Sequence, residues 1–213
     1  MQHHYLYLHG FASSPESMKA RDLASRFAQL GIDLDRLDLN QDDFTHLTLT
    51  RQLQQVAAAL PPDSTTPVTV IGSSFGGLTA AWAGERHPQI DRLILMAPAF
   101  GFLSHWLPRL GATQVQQWQT DGYLPVYHYS AEQMLPLHYQ FVEDAIQYED
   151  ASIQRPIPTL ILHGQQDDVI PIAASADFAR SRPWVTLIEL DSDHALTNVS
   201  DRIWQEIKHF CNL

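Results

Sequence analysis

Five consecutive residues, Gly72-Ser73-Ser74-Phe75-Gly76, fit the pattern G-x-S-x-G. They stand between an apolar run, Val68 to Ile71, and a small-residue segment with helical character, Phe75 to Glu85. That setting matters because the pattern describes a strand that turns sharply into a helix and presents a serine at the bend. The residues two places either side of such a serine must be small. Around Ser74 they are Gly72 and Gly76, whereas around Ser73 they would be Ile71 and Phe75. Ser74 is therefore the candidate nucleophile. A glycine-rich turn with an incidental serine is the plainer alternative, and the flanking strand and helix weigh against it.

A serine hydroxyl is a weak nucleophile and needs a base, itself oriented by a third group. On a strand-turn-helix serine the partners follow in the order acid, then histidine. The segment Leu160 to Pro171 supplies an apolar strand and a loop with two acids, Asp167 and Asp168. Asp191-Ser192-Asp193-His194 follows the last apolar run and precedes the last helical pattern. His194 is the candidate base among eleven histidines, of which His46, His87 and His209 read as solvated. Asp193 reads as a loop-capping acid. Two backbone amides are candidates for holding a developing oxyanion. One is the N–H of Phe75, at a helix N-terminus. The other is the N–H of Phe11, after Gly10 in the loop that ends the first strand.

The elements that must position these groups alternate. Strands are expected at Tyr5 to Leu8, Ile32 to Leu39, Val68 to Ile71, Leu93 to Met96, Thr159 to Leu162 and Trp184 to Leu190. Helical spacing covers Ser17 to Leu30, with Gly31 as its stop, then Leu47 to Leu60, Phe75 to Glu85, Ala173 to Ala179 and Thr197 to Phe210. Short, uniformly apolar strands between helices imply a parallel sheet covered on both faces. The stretch from Ala99 to Arg155 breaks the alternation. It is punctuated by Pro108, Pro125 and Pro136 and holds ten of the 21 aromatic residues. It reads as a helical lid over the carboxyl ends of the strands, where such sheets place their ligands.

These features together resemble the α/β-hydrolases over essentially the whole chain. The residues that carry the resemblance are the His9-Gly10-Phe11 turn, the bend at Gly72 to Gly76, His163-Gly164-x-x-Asp167-x-x-Ile170-Pro171, and His194. Within that class, Leu6 to Ala20 (LYLHGFASSPESMKA) and GSSFGG resemble the compact bacterial esterases of the YqiA type. The resemblance implies an α/β fold: one domain over residues 1–213, with a minimal, mostly parallel six-stranded sheet, helices on both faces and a helical lid at about 99–155. It selects Asp167 over Asp168 as the acid, and it implies a serine hydrolase that needs no cofactor. The hairpin that commonly precedes the His-Gly strand is not expected, since that strand begins at residue 5.

Composition narrows the function classes. Asp plus Glu number 24 against 13 for Lys plus Arg, a formal charge of -11, and Lys19 and Lys208 are the only lysines. Phosphate tracking needs clustered cations, so neither a nucleic acid nor an anionic membrane is an expected partner. The one cysteine, Cys211, makes no internal disulfide, and no targeting segment is recognised, so a soluble cytoplasmic protein is expected. No metal site is expected either: His3-His4 reads as a terminal pair, and His163 belongs with the acid loop.

The expected reaction is cleavage of an ester or thioester of a small to medium acyl group through acyl-Ser74. His194 would serve as base, and the rate should rise with pH to a plateau as the imidazole loses its proton. Trp106, Tyr123, Tyr127 and Tyr139 of the lid are the expected substrate-binding residues. A peptidase of the prolyl-aminopeptidase kind and a non-catalytic binding protein on the same fold are the alternatives.

Overall fold

The computed structural model describes residues 3–213. Its apolar runs form six strands: β1 (His4–Leu8), β2 (Asp35–Leu37), β3 (Val68–Ser73), β4 (Ile90–Met96), and, numbered after two strands of the insertion, β7 (Thr159–Gly164) and β8 (Val185–Leu190). They lie in the order β2-β1-β3-β4-β7-β8, and every pairing is parallel. Every residue of the inner strands β3 and β7 is buried. That double-sided burial is why these strands are apolar without alternation.

Helices cover both faces. On one side α1 (Met18–Gln29) and α8 (Ser200–Cys211) pack with Leu23, Phe27, Ile203 and Ile207 against Tyr5, Tyr7, Ile71 and Leu160. The helices α2 (Leu49–Ala59), α3 (Phe75–Arg86) and α7 (Ile172–Arg180) cover the other. Helix α1 starts where Ser17 accepts a hydrogen bond from the Ala20 N–H, and it ends where Gly31 takes a φ of +71°. Among the described residues no helix is long and apolar enough to cross a membrane.

The second strand is shorter than its alternating pattern predicts. Ile32 donates its N–H to Phe27 O at 3.1 Å and so closes the end of α1. Leu39 donates to the imidazole of His9 at 3.0 Å. With both flanking amides engaged elsewhere, only Asp35 to Leu37 remain for the ladder with β1.

The insertion between β4 and β7 contains helices, namely α4 (Phe102–Leu110), α5 (Ala112–Asp121) and α6 (Gln140–Ala145). Between them it also forms an antiparallel hairpin, β5 (Tyr123–His128) with β6 (Gln133–His138), which the proline-rich sequence does not announce. Pro125 and Pro136 stand directly opposite each other in that hairpin. Neither has an N–H to donate, so this is a pair whose amides would face outward, and the two prolines blunt the exposed edges. The hairpin is fastened to the sheet's carboxyl edge. Tyr129 N–H donates to Ala12 O (2.9 Å) and His138 N–H to Thr45 O (2.8 Å), while within the insertion the buried Trp118 of α5 donates Nε1–H to Leu137 O (2.9 Å).

Candidate active site

Four loops at the carboxyl edge bring the candidate residues together. Ser74 sits at the β3–α3 bend with φ 54° and ψ -119°, a region an L-residue rarely occupies. Its N–H is held by Met96 O at 2.9 Å, and its carbonyl accepts from Gly77 (2.9 Å), Leu78 (3.2 Å) and Ala99 (3.0 Å). The bend closes only because its flanks lack side chains. A Cβ on Gly72 would lie 2.7 Å from the Gly77 Cα, and one on Gly76 would overlap the carbonyl oxygens of Leu8 and His9. Strain of this kind costs about 1–3 kcal/mol. Ser74→Gly should therefore melt roughly 2–4 °C above Ser74→Ala, the net of strain relief and glycine's extra unfolded-state entropy. Differential scanning calorimetry checks this, and an equal or lower melting point for the glycine variant would contradict stored strain.

The Ser74 Oγ lies 3.0 Å from His194 Nε2, and His194 Nδ1 lies 2.7 Å from Asp167 Oδ2. The Asp167 side chain is fully buried and saturated. Its Oδ1 accepts from the amides of Val169 (2.9 Å) and Ile170 (2.8 Å), and its Oδ2 accepts from His163 Nε2 (3.0 Å) as well as His194. Burial alone would raise its pKa. Hydrogen bonds from His163, His194 and the Ile170 amide outweigh that and hold the carboxyl well below the usual range. His163 is itself wholly buried. Its Nδ1 takes the Ser175 hydroxyl at 2.8 Å, which leaves Nε2–H for Asp167. Asp168 is exposed and offers only its backbone carbonyl, to Arg109. Asp193 caps its own loop through the amides of Ala195 (3.0 Å) and Leu196 (3.2 Å).

Phe75 is the first residue of α3, so its N–H precedes the helix's own hydrogen bonds. The Phe11 N–H has no protein acceptor among the described residues. Gly10 lies against Ser74, where an added Cβ would stand 3.3 Å from the serine Cβ. His9, which the sequence shows only as part of a strand-ending turn, proves to be wholly buried. Its Nδ1–H donates to Gly10 O at 2.9 Å, while Nε2 accepts from Leu39. Burial holds its pKa below the ordinary value against the pull of the Gly10 carbonyl and Asp38, which favours this neutral tautomer. The Gly10 carbonyl and the Phe11 N–H belong to one trans peptide and point opposite ways. Gripping the carbonyl therefore fixes the direction of the amide.

A cavity of about 620 Å³ opens over Ser74 and His194. Of the four lid residues expected to bind substrate, Trp106 and Tyr127 line it, together with Phe11, Phe102 and Val126. Tyr123 and Tyr139 do not. Tyr123 is two pleats back along β5 from Tyr127, about 13 Å away, and lies half exposed with its ring against His138. Tyr139 packs edge-on to Trp118, 5.4 Å between centroids, inside the insertion's own core. Phe141 joins that core to the rings of Phe11 and Phe75, at 5.4 Å from each. Among the described residues no three His, Cys, Asp or Glu side chains are grouped to hold a metal.

The parallel six-stranded sheet, helix-covered on both faces and carrying a serine at a sharp strand-to-helix bend, is the α/β-hydrolase fold. The chain belongs to the uncharacterised protein family UPF0227, whose model matches residues 4–212, the family of the YqiA-type esterases that its motifs resemble. Among solved structures it is similar to α/β hydrolase domain-containing protein 10 from mouse, with a TM-score of 0.80 and 22% identity over 98% of this chain and 89% of that one. It is also similar to Est1E from Butyrivibrio proteoclasticus with ferulic acid bound, with a TM-score of 0.78 and 20% identity over 99% and 90% of the two chains. At these identities the likeness is one of fold. No curated protein matches the sequence.

Proposed function

We propose that the protein is a serine hydrolase that cleaves carboxylic esters or thioesters of small to medium acyl groups. The observation that carries this reading is the continuous hydrogen-bonded line from Ser74 Oγ through His194 to the buried Asp167, opening on a cavity. In the proposed reaction His194 Nε2 takes the Ser74 proton as Oγ attacks the acyl carbon. Negative charge develops on the acyl oxygen and is held by the N–H groups of Phe11 and Phe75. The second lies at the N-terminus of α3, where the helix dipole adds to the attraction. Collapse of the tetrahedral species expels the alcohol or thiol, which leaves with the proton from His194. Water then repeats the sequence on the acyl-serine and frees the acid. Asp167 keeps the proton of His194 on Nδ1 and stabilises the imidazolium that forms in each half. Est1E, which shares this fold, has ferulic acid bound, and a carboxylic acid held on this fold fits an acyl ligand here.

The apolar lining of Phe102, Trp106 and Val126 supports an acyl group of hydrocarbon character, and the cavity volume falls in the ordinary small-ligand range. Each buried methylene contributes about 0.8 kcal/mol. Across 4-nitrophenyl esters from acetate to palmitate, kcat/KM should climb by roughly threefold or fourfold per methylene, then fall once the cavity is full, with the peak at short to medium chains. A maximum at palmitate, or a flat profile, would count against an acyl pocket under the lid. Absence of hydrolysis across both ester and thioester panels would overturn the hydrolase reading.

A further inference from the structure

The lining of the cavity over Ser74 includes a polar set chemically unlike the aromatic one. It comprises Ser13, Ser17, Lys19 and Tyr7, with Asp193 and His194. Lys19 is one of two lysines in the chain and lies in the first turn of α1, just after the capping Ser17. Among the described residues its ammonium has no carboxylate within 4.0 Å. Burial lowers its pKa to about 8, while Asp167 and Asp193 act in the opposite direction from farther off. Both carboxylates are engaged elsewhere, Asp167 by four donors and Asp193 by the amides of its own loop. Ser17 accepts from Ala20 N and shares a hydrogen bond with the Tyr7 phenol. Burial of the Tyr7 phenol pushes its pKa up to about 12 against the hydrogen bonds of Ser17 and Ser73, so it stays neutral. This part of the lining therefore presents a cation with no carboxylate close enough to pair with it, beside the Ser13 hydroxyl and the linked hydroxyls of Ser17 and Tyr7.

These residues share the cavity with Asp193 and His194 of one loop, and Asp193 lies near enough to act on Lys19. His194 delivers its proton to the departing alcohol or thiol, so this side of Ser74 is where the leaving group lies. We infer that Lys19, with the Ser13 hydroxyl, forms a subsite for an anionic oxyacid group, a carboxylate or a phosphate, on the alcohol or thiol half of the substrate. The inference rests on the hydrolase reading and adds to it the polarity of the substrate: an apolar acyl group joined to an anionic leaving group. Charged hydrogen bonds from an ammonium to such a group are stronger than neutral ones.

Three butyrate esters of a nitrophenol test it, one bearing a ring carboxylate, one the matched carboxamide and one a phosphate monoester. The quantity read is kcat/KM on each anionic ester divided by kcat/KM on the carboxamide ester. Intrinsic differences between the esters cancel when this ratio is compared between enzymes. In Lys19→Met the ratio should fall about tenfold or more relative to wild type for at least one anion, and Lys19→Arg should retain most of it. The anion with the larger fall identifies the oxyacid. Lys19→Gln serves in place of Lys19→Met if that variant fails to fold. A ratio unchanged by loss of the ammonium would overturn the subsite alone. Hydrolysis of none of the three by the wild type would overturn the hydrolase reading, and the subsite with it.

Discussion

Ser74→Ala should lower kcat for ester hydrolysis by about 10⁴- to 10⁶-fold, with only a residual rate from binding and the amide donors. It should also abolish labelling by a fluorophosphonate. Ser73→Ala should remain labelled, although the two serines are adjacent. The reason is conformational. Ser73 is the last residue of β3, buried and paired in register with Met96. Ser74 alone occupies the bend at positive φ that turns its Oγ toward His194. Steady-state kinetics on a short-chain ester, with folding of both variants checked by circular dichroism, measures the difference. Retained hydrolysis in Ser74→Ala would show that another group attacks the substrate.

Asp167→Asn is expected to lower kcat by about 10³- to 10⁴-fold, and Asp168→Asn by far less. An amide at 167 cannot stabilise the imidazolium, and its NH₂ would face His194 Nδ1 and favour the wrong tautomer. The same substitution disturbs the loop, because one carboxylate serves four donors, including the amides of Val169 and Ile170. The damage should therefore appear in both kcat and thermal stability. Asp168 touches neither His194 nor the loop amides with its carboxylate, so its loss should leave both nearly intact. Reversed severity between the two variants would mean that Asp168 carries the role assigned to Asp167.

The parallel sheet was legible because its inner strands are covered on both faces, which leaves no polar positions to blur the pattern. Ser74 stood out for a steric reason confined to five residues: a bend this sharp admits glycine at 72 and 76 and excludes Ile71 and Phe75 as flanks. The order of acid and histidine along the chain does not separate Asp167 from Asp168, and only the His-Gly-x-x-Asp spacing of the resembled family points to Asp167. The choice depends on which carboxylate the turn at Val169 and Ile170 folds around, and that is a property of loop backbone. The β5–β6 hairpin was hidden because Pro125 and Pro136 read as breakers, and only their cross-strand pairing makes them compatible with a two-stranded sheet. Aromatic content announced a covering insertion but not which rings face the cavity. Tyr123 and Tyr127 share a strand and a face and differ only in distance along it. His9 and Lys19 carry no periodic signal at all, and their surroundings come from segments distant in sequence.

The most direct measurement is the location of a covalent adduct. The wild-type protein treated with a fluorophosphonate, digested and analysed by tandem mass spectrometry, should carry one adduct on Ser74, and prior incubation with a short-chain ester should slow its formation. An adduct mapped to Ser73 or to any other residue, or ester hydrolysis that continues in protein with no adduct under saturating reagent, would contradict a Ser74 nucleophile.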